Sequence, residues 1–243
     1  PAIPSADDIV AALLEHNPDA DADMVRKAYE YSSAAHAGQL RLSGDPYFMH
    51  PTSVAKTLAE MGFDEHTVAA GLLHDTVEDT SASIEELDAE FGEQVADIVD
   101  GVTKISLMTF DTKEEAQAEN IRKMILAMSH DIRVPIVKLA DRQHNMRTLE
   151  FQKPHKQQAI ARETMDIYAP LANRLGLHRI KQELEDLSFR YLKPDVYAHI
   201  THWLEENQMV ERQLISKVIT QLEAIMKSNG ITGRVFGRIK QTY

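Results

Sequence analysis

The chain has 243 residues, 43% of them apolar, which suffices for one or two domains with a buried core. Its 26 lysines and arginines stand against 38 aspartates and glutamates, a formal charge of −12 that argues against broad nucleic-acid binding but leaves room for a small anionic ligand on a local basic patch. Cysteine is absent, so disulfides and thiolate metal sites are excluded; no apolar run approaches a membrane span and no secretory pattern opens the chain, so the cytosol is expected.

The predicted elements are nearly all helical. Ser5 is placed to cap a short first helix from Asp8 to Leu14. A second spans about Asp21 to His36, with Met24, Ala28, Tyr31 and Ala35 on one face and Gly38 as its stop. Residues 39–47, with Gly44 and Pro46, read as a polar turn. Turn chemistry accounts for that stretch by itself, although loops also collect binding groups and this one carries Arg41. Pro51 opens a third helix at its favoured first position, which puts His50 at the N-cap; Val54, Leu58 and Met61 carry the apolar face to a stop at Gly62.

Asp64 caps a fourth helix, read as unbroken through Gly71-Leu-Leu-His-Asp-Thr-Val-Glu-Asp79. His74 and Asp75 lie in its apolar run, and Glu78 and Asp79 follow one turn later, so one helix presents an imidazole and three carboxylates to a common space. The plain alternative is an acidic helix end. Unpaired buried charge is costly, however, and carboxylates near a helix C-terminus meet the unfavourable end of the macrodipole. A metal ion is the favoured compensation, and without cysteine its ligands must be His, Asp or Glu.

Ser83 with Glu86 forms a capping-box pattern for a fifth helix, residues 92–105 read as a sixth, and Asp111 with Glu114 starts a seventh through Ile121, Met124, Ile125 and Met128. Val134 to Asp141 is apolar and β-branched, but its helical neighbours favour helix. Asp141 then needs a partner, which Lys138, Arg142 or a metal would supply. Pro154 opens a helix continuing to Ala172, with Ile160, Thr164, Ile167 and Leu171 at helical spacing and Gly176 as its stop. Leu177 to Tyr191 is helical again, and Pro194 to Met226 is a long amphipathic helix. The alternating run Ile231 to Lys240 reads as the first strand of a following domain, so the fold class is all-α with a truncated strand at the end.

His50, His74, Asp75 and Asp141 are the candidate metal ligands. Two imidazoles and two carboxylates suit a mid-row divalent ion such as manganese or iron, with zinc also compatible. Such an ion lowers the pKa of water toward neutrality, which is hydrolytic chemistry, and Glu78 and Asp79 are placed to order that water or take its proton. His36, His66, His130, His155, His178, His199 and His202 fall on polar or loop positions and are set aside. His144 shares a helix face with Asp141, as a supporting group or an incidental one. Arg41, Lys104, Arg142 and Arg147 lie close in sequence to the metal candidates and are candidate phosphate contacts, and Asn145 suits a base edge or ribose.

The order His50, His74-Asp75, Asp141 resembles the HD-domain phosphohydrolases. The stretches Arg-Leu-Ser-Gly-Asp-Pro-Tyr-Phe-Met-His-Pro (41–51), Leu-Leu-His-Asp-Thr-Val-Glu-Asp-Thr (72–80) and Lys-Leu-Ala-Asp-Arg-Gln-His-Asn-Met-Arg-Thr-Leu (138–149) resemble the hydrolase domain of the RelA/SpoT family. Tyr-Ala-Pro-Leu-Ala-Asn-Arg-Leu-Gly-Leu (168–177) resembles the segment after that domain, and Gly-Arg-Ile-Lys-Gln-Thr-Tyr (237–243) the opening strand of the family's synthetase domain.

The resemblance implies an all-α hydrolase domain over residues 1–152, a helical linker over 153–229, and over 230–243 the start of a synthetase domain. The full-length protein would then also make (p)ppGpp. It implies removal of the 3′-pyrophosphate of (p)ppGpp with Mn2+, giving GDP or GTP, with His50, His74, Asp75 and Asp141 on the ion. Glu78 and Asp79 would be the water-activating pair, and Arg41, Ser43, Asn145 and Thr148 would line the nucleotide pocket. Regulatory protein partners are implied as well; direct nucleic-acid binding and a membrane are not. Leu42 departs from the basic residue that many members carry there. A nucleotide-sensing module without turnover, or an HD phosphohydrolase of another nucleotide, are the alternatives.

Overall fold

Capping side chains start the N-terminal helices. In the computed structural model, which describes residues 3–106 and 131–237, α1 runs Ala6–His16. Ser5 Oγ accepts from the Asp8 amide at 3.2 Å while Asp8 Oδ2 accepts from the Ser5 amide at 2.8 Å, so two amides that the first turn leaves open are satisfied reciprocally. Asp21 caps α2 (Ala22–Ala35) through the Met24 amide at 3.0 Å. Asp64 caps α4 (Glu65–Leu73) through the Thr67 amide at 2.8 Å, and Ser83 caps α6 (Ile84–Phe91) through the Glu86 amide at 3.2 Å. The other helices of this half are α3 (Met49–Glu60), α5 (Thr76–Asp79), α7 (Glu93–Ser106) and α8 (Arg133–Arg147). The helix expected from Asp111 to Met128 lies outside the described residues.

Two expectations near the site need correction. His50 is not a cap: α3 starts at Met49 with Phe48 before it, so His50 lies inside the first turn. Pro51 is therefore the third helical residue rather than the first. Its missing N–H is still one that the first turn cannot use, so the proline fits without marking the boundary. The helix expected through residue 79 is also broken. His74 keeps helical angles (φ −59°, ψ −26°), but Asp75 (φ −112°, ψ 0°) leaves them, and α5 restarts at Thr76. Thr76 Oγ1 donates to the Leu73 carbonyl at 2.7 Å, occupying one acceptor that the break frees.

Helix α4 is the hub, in contact with α2, α3, α7 and α8, and Thr67 through Leu73 are all buried. Gly71 sets how closely α3 approaches it. A Cβ there would come within 2.6 Å of Leu58 Cδ1 and 3.4 Å of the Ala55 Cα. The bare backbone lets the two helices close up, and the His50 and His74 rings meet at 5.1 Å between centroids.

The C-terminal half adds α9 (Pro154–Glu163), a π-helical turn (Thr164–Tyr168), α10 (Ala169–Arg174), α11 (His178–Leu192) and α12 (Pro194–Ser228). The helix expected to run straight to Ala172 thus widens for one turn. Pro170, two residues after it, has no amide to give the carbonyl four residues back and its ring crowds that carbonyl, which the wider turn relieves. Buried apolar residues from Ile9 to Leu184 form a single cluster, so α9 to α11 share the core of the N-terminal helices. The strand expected from Ile231 to Lys240 is absent over residues 231–237, where no ladder partner exists among the described residues, and residues 238–240 lie outside them.

Candidate active site

His74 projects from the end of α4. Its Nδ1 lies 2.9 Å from the Gly71 carbonyl, which only accepts, so Nδ1 carries a proton and in the neutral ring Nε2 is bare. That nitrogen faces Asp75 Oδ2 and Asp141 Oδ1, each at 3.9 Å. His50 Nε2, from α3, is 3.2 Å from the same Asp141 Oδ1. His50, His74 and Asp141, all buried, offer ligand atoms within 4.8 Å of one another.

Asp75 lies alongside, its Oδ2 3.9 Å from His74 Nε2, outside the group of three whose ligand atoms all fall within 4.8 Å of one another. Its Oδ1 accepts from His36 Nε2 at 3.2 Å, whereas the buried Oδ2 has no hydrogen-bond partner. A buried, unpartnered carboxylate oxygen opposite a bare imidazole nitrogen is costly unless a cation lies between them. With Asp75 included, two nitrogen and two oxygen donors suit a mid-row divalent ion. Protonation agrees with this. Burial alone would raise the Asp75 carboxyl, but His74, His36 and His50 together hold it well below the usual range. Burial opposes the Lys138 charge at Asp141 and is likewise outweighed. Burial lowers His50 and favours its neutral, ligating form.

The break at Asp75 sends α5 outward, and Glu78 and Asp79 are exposed on it rather than stacked on the buried face that an unbroken helix would have given them. The loop after α2 braces this turn. Tyr47 Oη donates to Asp79 Oδ2 at 2.6 Å, and Gln39 Nε2 donates to the Asp79 carbonyl at 3.0 Å. The Tyr47 ring stacks on His36 at 4.8 Å, and His36 Nδ1 meets Gln39 Oε1 at 2.9 Å. Burial, then the nearby Asp75 charge, push the Tyr47 phenol far up, so it stays a donor. His36, set aside in sequence as a polar-position histidine, is buried and bonded to a candidate ligand: that expectation is wrong, because the returning loop covers it.

Asp141 also forms part of the wall of a cleft of about 530 Å³. Arg41, Leu42 and Ser43 line one side of it, and Arg142, Asn145 and Thr148 of the α8 end line another. Arg41 reaches in because Gly44, at φ +86°, turns the loop so that the Arg41 amide bonds the Asp45 carbonyl at 2.9 Å. Arg41 Nη2 donates to Asn145 Oδ1 at 2.9 Å, and Asn145 Nδ2 donates to Asp141 Oδ1 at 2.5 Å, so cleft and ligand set share a bonded wall. Arg142 bonds Glu163 at 3.0 Å and lies 4.0 Å over the Tyr168 ring that the π turn presents.

The other two basic candidates lie elsewhere. Lys104 pairs with Asp100 along α7, and Arg147 pairs with Glu183 at a separate hollow of about 330 Å³. Nearness in sequence had grouped them with the cleft. Beyond His36, the groups that sequence reasoning passed over are Gln39 and Tyr47. A signal for Tyr47 existed, a large amphipathic ring three residues before His50.

An HD-domain family model matches residues 28–178. The GTP pyrophosphokinase of Myxococcus xanthus is 50% identical over 95% of this chain and 31% of its own length. The bifunctional (p)ppGpp synthase/hydrolase SpoT of Escherichia coli K12 is 48% identical over 90% of this chain and 31% of its own. The chain thus spans about a third of the length of these curated relatives. Among solved structures, a metazoan ortholog of SpoT that hydrolyzes ppGpp and plays a role in starvation responses superposes with a TM-score of 0.50 at 25% identity, covering 68% of this chain and 92% of that one. Among the described residues, no helix is long and apolar enough to cross a membrane.

Proposed function

This chain belongs to the HD-domain family, in its RelA/SpoT group, and from that premise we propose that it hydrolyses (p)ppGpp to GDP or GTP and pyrophosphate at the site around Asp75 and Asp141, in the cytosol, with Mn2+ as its ion. The observation that carries this reading is the unpartnered Asp75 Oδ2, buried opposite the bare His74 Nε2 and beside a cleft lined with arginine and asparagine.

His50, His74, Asp75 and Asp141 would hold the ion, which when bound polarises a phosphoryl oxygen and lowers the pKa of water. The chain supplies the rest. Arg41 and Arg142 face the cleft, where planar guanidinium groups suit phosphate oxygens, and Ser43, Asn145 and Thr148 offer hydrogen bonds to the nucleoside. A water oxygen bonds to the phosphorus nearest the ribose 3′ oxygen, and that P–O bond breaks. One proton of the water passes to Glu78 or Asp79, the latter held in place by Tyr47, and the same carboxyl returns it to the ribose 3′ oxygen as the bond from that oxygen to phosphorus breaks, which regenerates the carboxylate. Synthesis of (p)ppGpp, named for the K12 relative, is not assigned to this chain.

The test is pyrophosphate release from ppGpp by the purified chain with Mn2+. Turnover is expected in the unsubstituted protein, with loss on the order of a thousandfold, or about 4 kcal/mol, in His74→Ala and Asp75→Asn. Full activity in either variant, or cleavage of ordinary nucleoside triphosphates with ppGpp untouched, overturns the assignment.

A further inference from the structure

His144 sits one helical turn beyond Asp141, and no step above uses it. Its Nδ1 lies 2.8 Å from His50 Nδ1 and 3.4 Å from Arg41 Nη1. Two ring nitrogens at that separation share one proton, so one donates and the other accepts. A guanidinium has only donors. With Arg41 also pointing at His144 Nδ1, that nitrogen is the acceptor and the His50 Nδ1–H is a donor to it. His50 Nε2 is then the nitrogen left to face Asp141 Oδ1 at 3.2 Å. The opposite arrangement would move the His50 proton to Nε2 and aim an N–H at the space between the carboxylates, where a cation has to sit.

We propose that His144 is a positioning residue: its Nδ1 accepts the His50 Nδ1–H and keeps His50 Nε2 bare toward the ion, with Arg41 as the donor that holds His144 in the accepting tautomer. The role is the counterpart of the Gly71 carbonyl at His74, so each ligating imidazole has its proton fixed on the side away from the site. The inference rests on the metal reading given above. It also joins the cleft to the ion site through Arg41, independently of the Asn145 bridge.

The experiment uses Mn2+ alone as the probe, with affinity measured by electron paramagnetic resonance on the whole chain. His144→Leu removes the acceptor, while His144→Asn keeps an oxygen near the position of Nδ1. Expected are an affinity loss of about 10–100-fold in His144→Leu and near-native binding in His144→Asn. Equal binding in the leucine variant, or an equal loss in both, overturns the proposal. Nitrogen-15 spectra of the histidines in the unsubstituted, ion-free protein give a second reading that does not depend on either variant folding. The Nδ1–H tautomer at His50 supports the proposal and the Nε2–H tautomer overturns it. Failure of the unsubstituted chain to bind Mn2+ would instead strike the metal reading itself, while the spectra still decide the tautomer.

Discussion

Lys138 Nζ lies 2.8 Å from Asp141 Oδ2, while the other oxygen of that carboxylate faces His50 Nε2 at 3.2 Å. One carboxylate therefore divides its oxygens between a built-in cation and the ligand cluster. Burial would lower the lysine, but the Asp141 charge holds it up, so the ammonium is retained.

Lys138→Met should destabilise the ion-free protein by about 3–5 kcal/mol, because both side chains are largely buried and the carboxylate loses its partner. Mn2+ should return part of this, since anything that binds only the folded state raises its stability. Thermal melts with and without Mn2+ check it. The gain on adding the ion should be larger in Lys138→Met than in the unsubstituted chain, and an equal gain would contradict the shared role of Asp141.

Tyr47→Phe keeps the ring that stacks on His36 and removes the hydroxyl that holds Asp79. If Asp79 takes a proton from water, the loss falls on the chemical step. A drop of about tenfold or more in kcat with KM nearly unchanged is expected. Steady-state kinetics separate this from a binding defect, which would move KM instead.

Acid should weaken the ion-free protein before its carboxylates protonate. Burial, then His50 and Arg41, lower His144 to about 3, and burial lowers His50 as well. The unfolded chain takes up these protons near pH ~6.5 while the folded chain refuses them, so stability falls as pH drops from ~6.5 toward the folded values. His36 runs the other way. Burial opposes its pairing with Asp75, but the pairing wins and raises it, so its contribution is full below pH ~6.5 and is lost as pH rises through its folded value. Asp75 and Asp141 are lowered, and their contribution is lost only below pH ~3.9. Melting temperature should therefore fall between about pH 6.5 and pH 4.5, and less steeply in His144→Asn.

Arg147→Ala serves as the contrast. The arginine is exposed, and its bond to Glu183 borders the smaller hollow rather than the cleft. A stability change below about 1 kcal/mol and unchanged turnover are expected, checked by melting and by the pyrophosphate assay.

How much of this was legible in the sequence can be traced residue by residue. Ser5, Asp21, Asp64 and Ser83 announce their helices because a cap is a local device, complete within four residues. His50, His74, Asp75 and Asp141 stand out as polar groups in apolar surroundings; folding brings His50, His74 and Asp141 into one cluster with Asp75 beside His74. The break at Asp75 is not visible, since no glycine or proline between Leu72 and Asp79 marks it and the weak helix formers His74, Asp75, Thr76 and Val77 do not say where the helix would stop. His36 was hidden because the loop that buries it returns from Tyr47. Lys104 and Arg147 misled because sequence distance says nothing about which side of a helix reaches the cleft. The π turn was masked by Ile160, Thr164, Ile167 and Leu171, whose spacing satisfies an ordinary helix equally well.

That turn gives the helix a place to absorb a change in length. A π turn holds one residue more than the α-helix it interrupts, and each residue of an α-helix advances the chain by roughly 100°. The wide turn absorbs that extra residue, so deleting one residue between Thr164 and Tyr168 lets it close to ordinary α-helix with Ala169–Arg174 near their present phase, whereas the same deletion inside α9 would rotate them by roughly 100°. A one-codon deletion is thus tolerated better in this turn than in the regular helix before it, and the turn marks where the chain stores a spare residue beside the cleft.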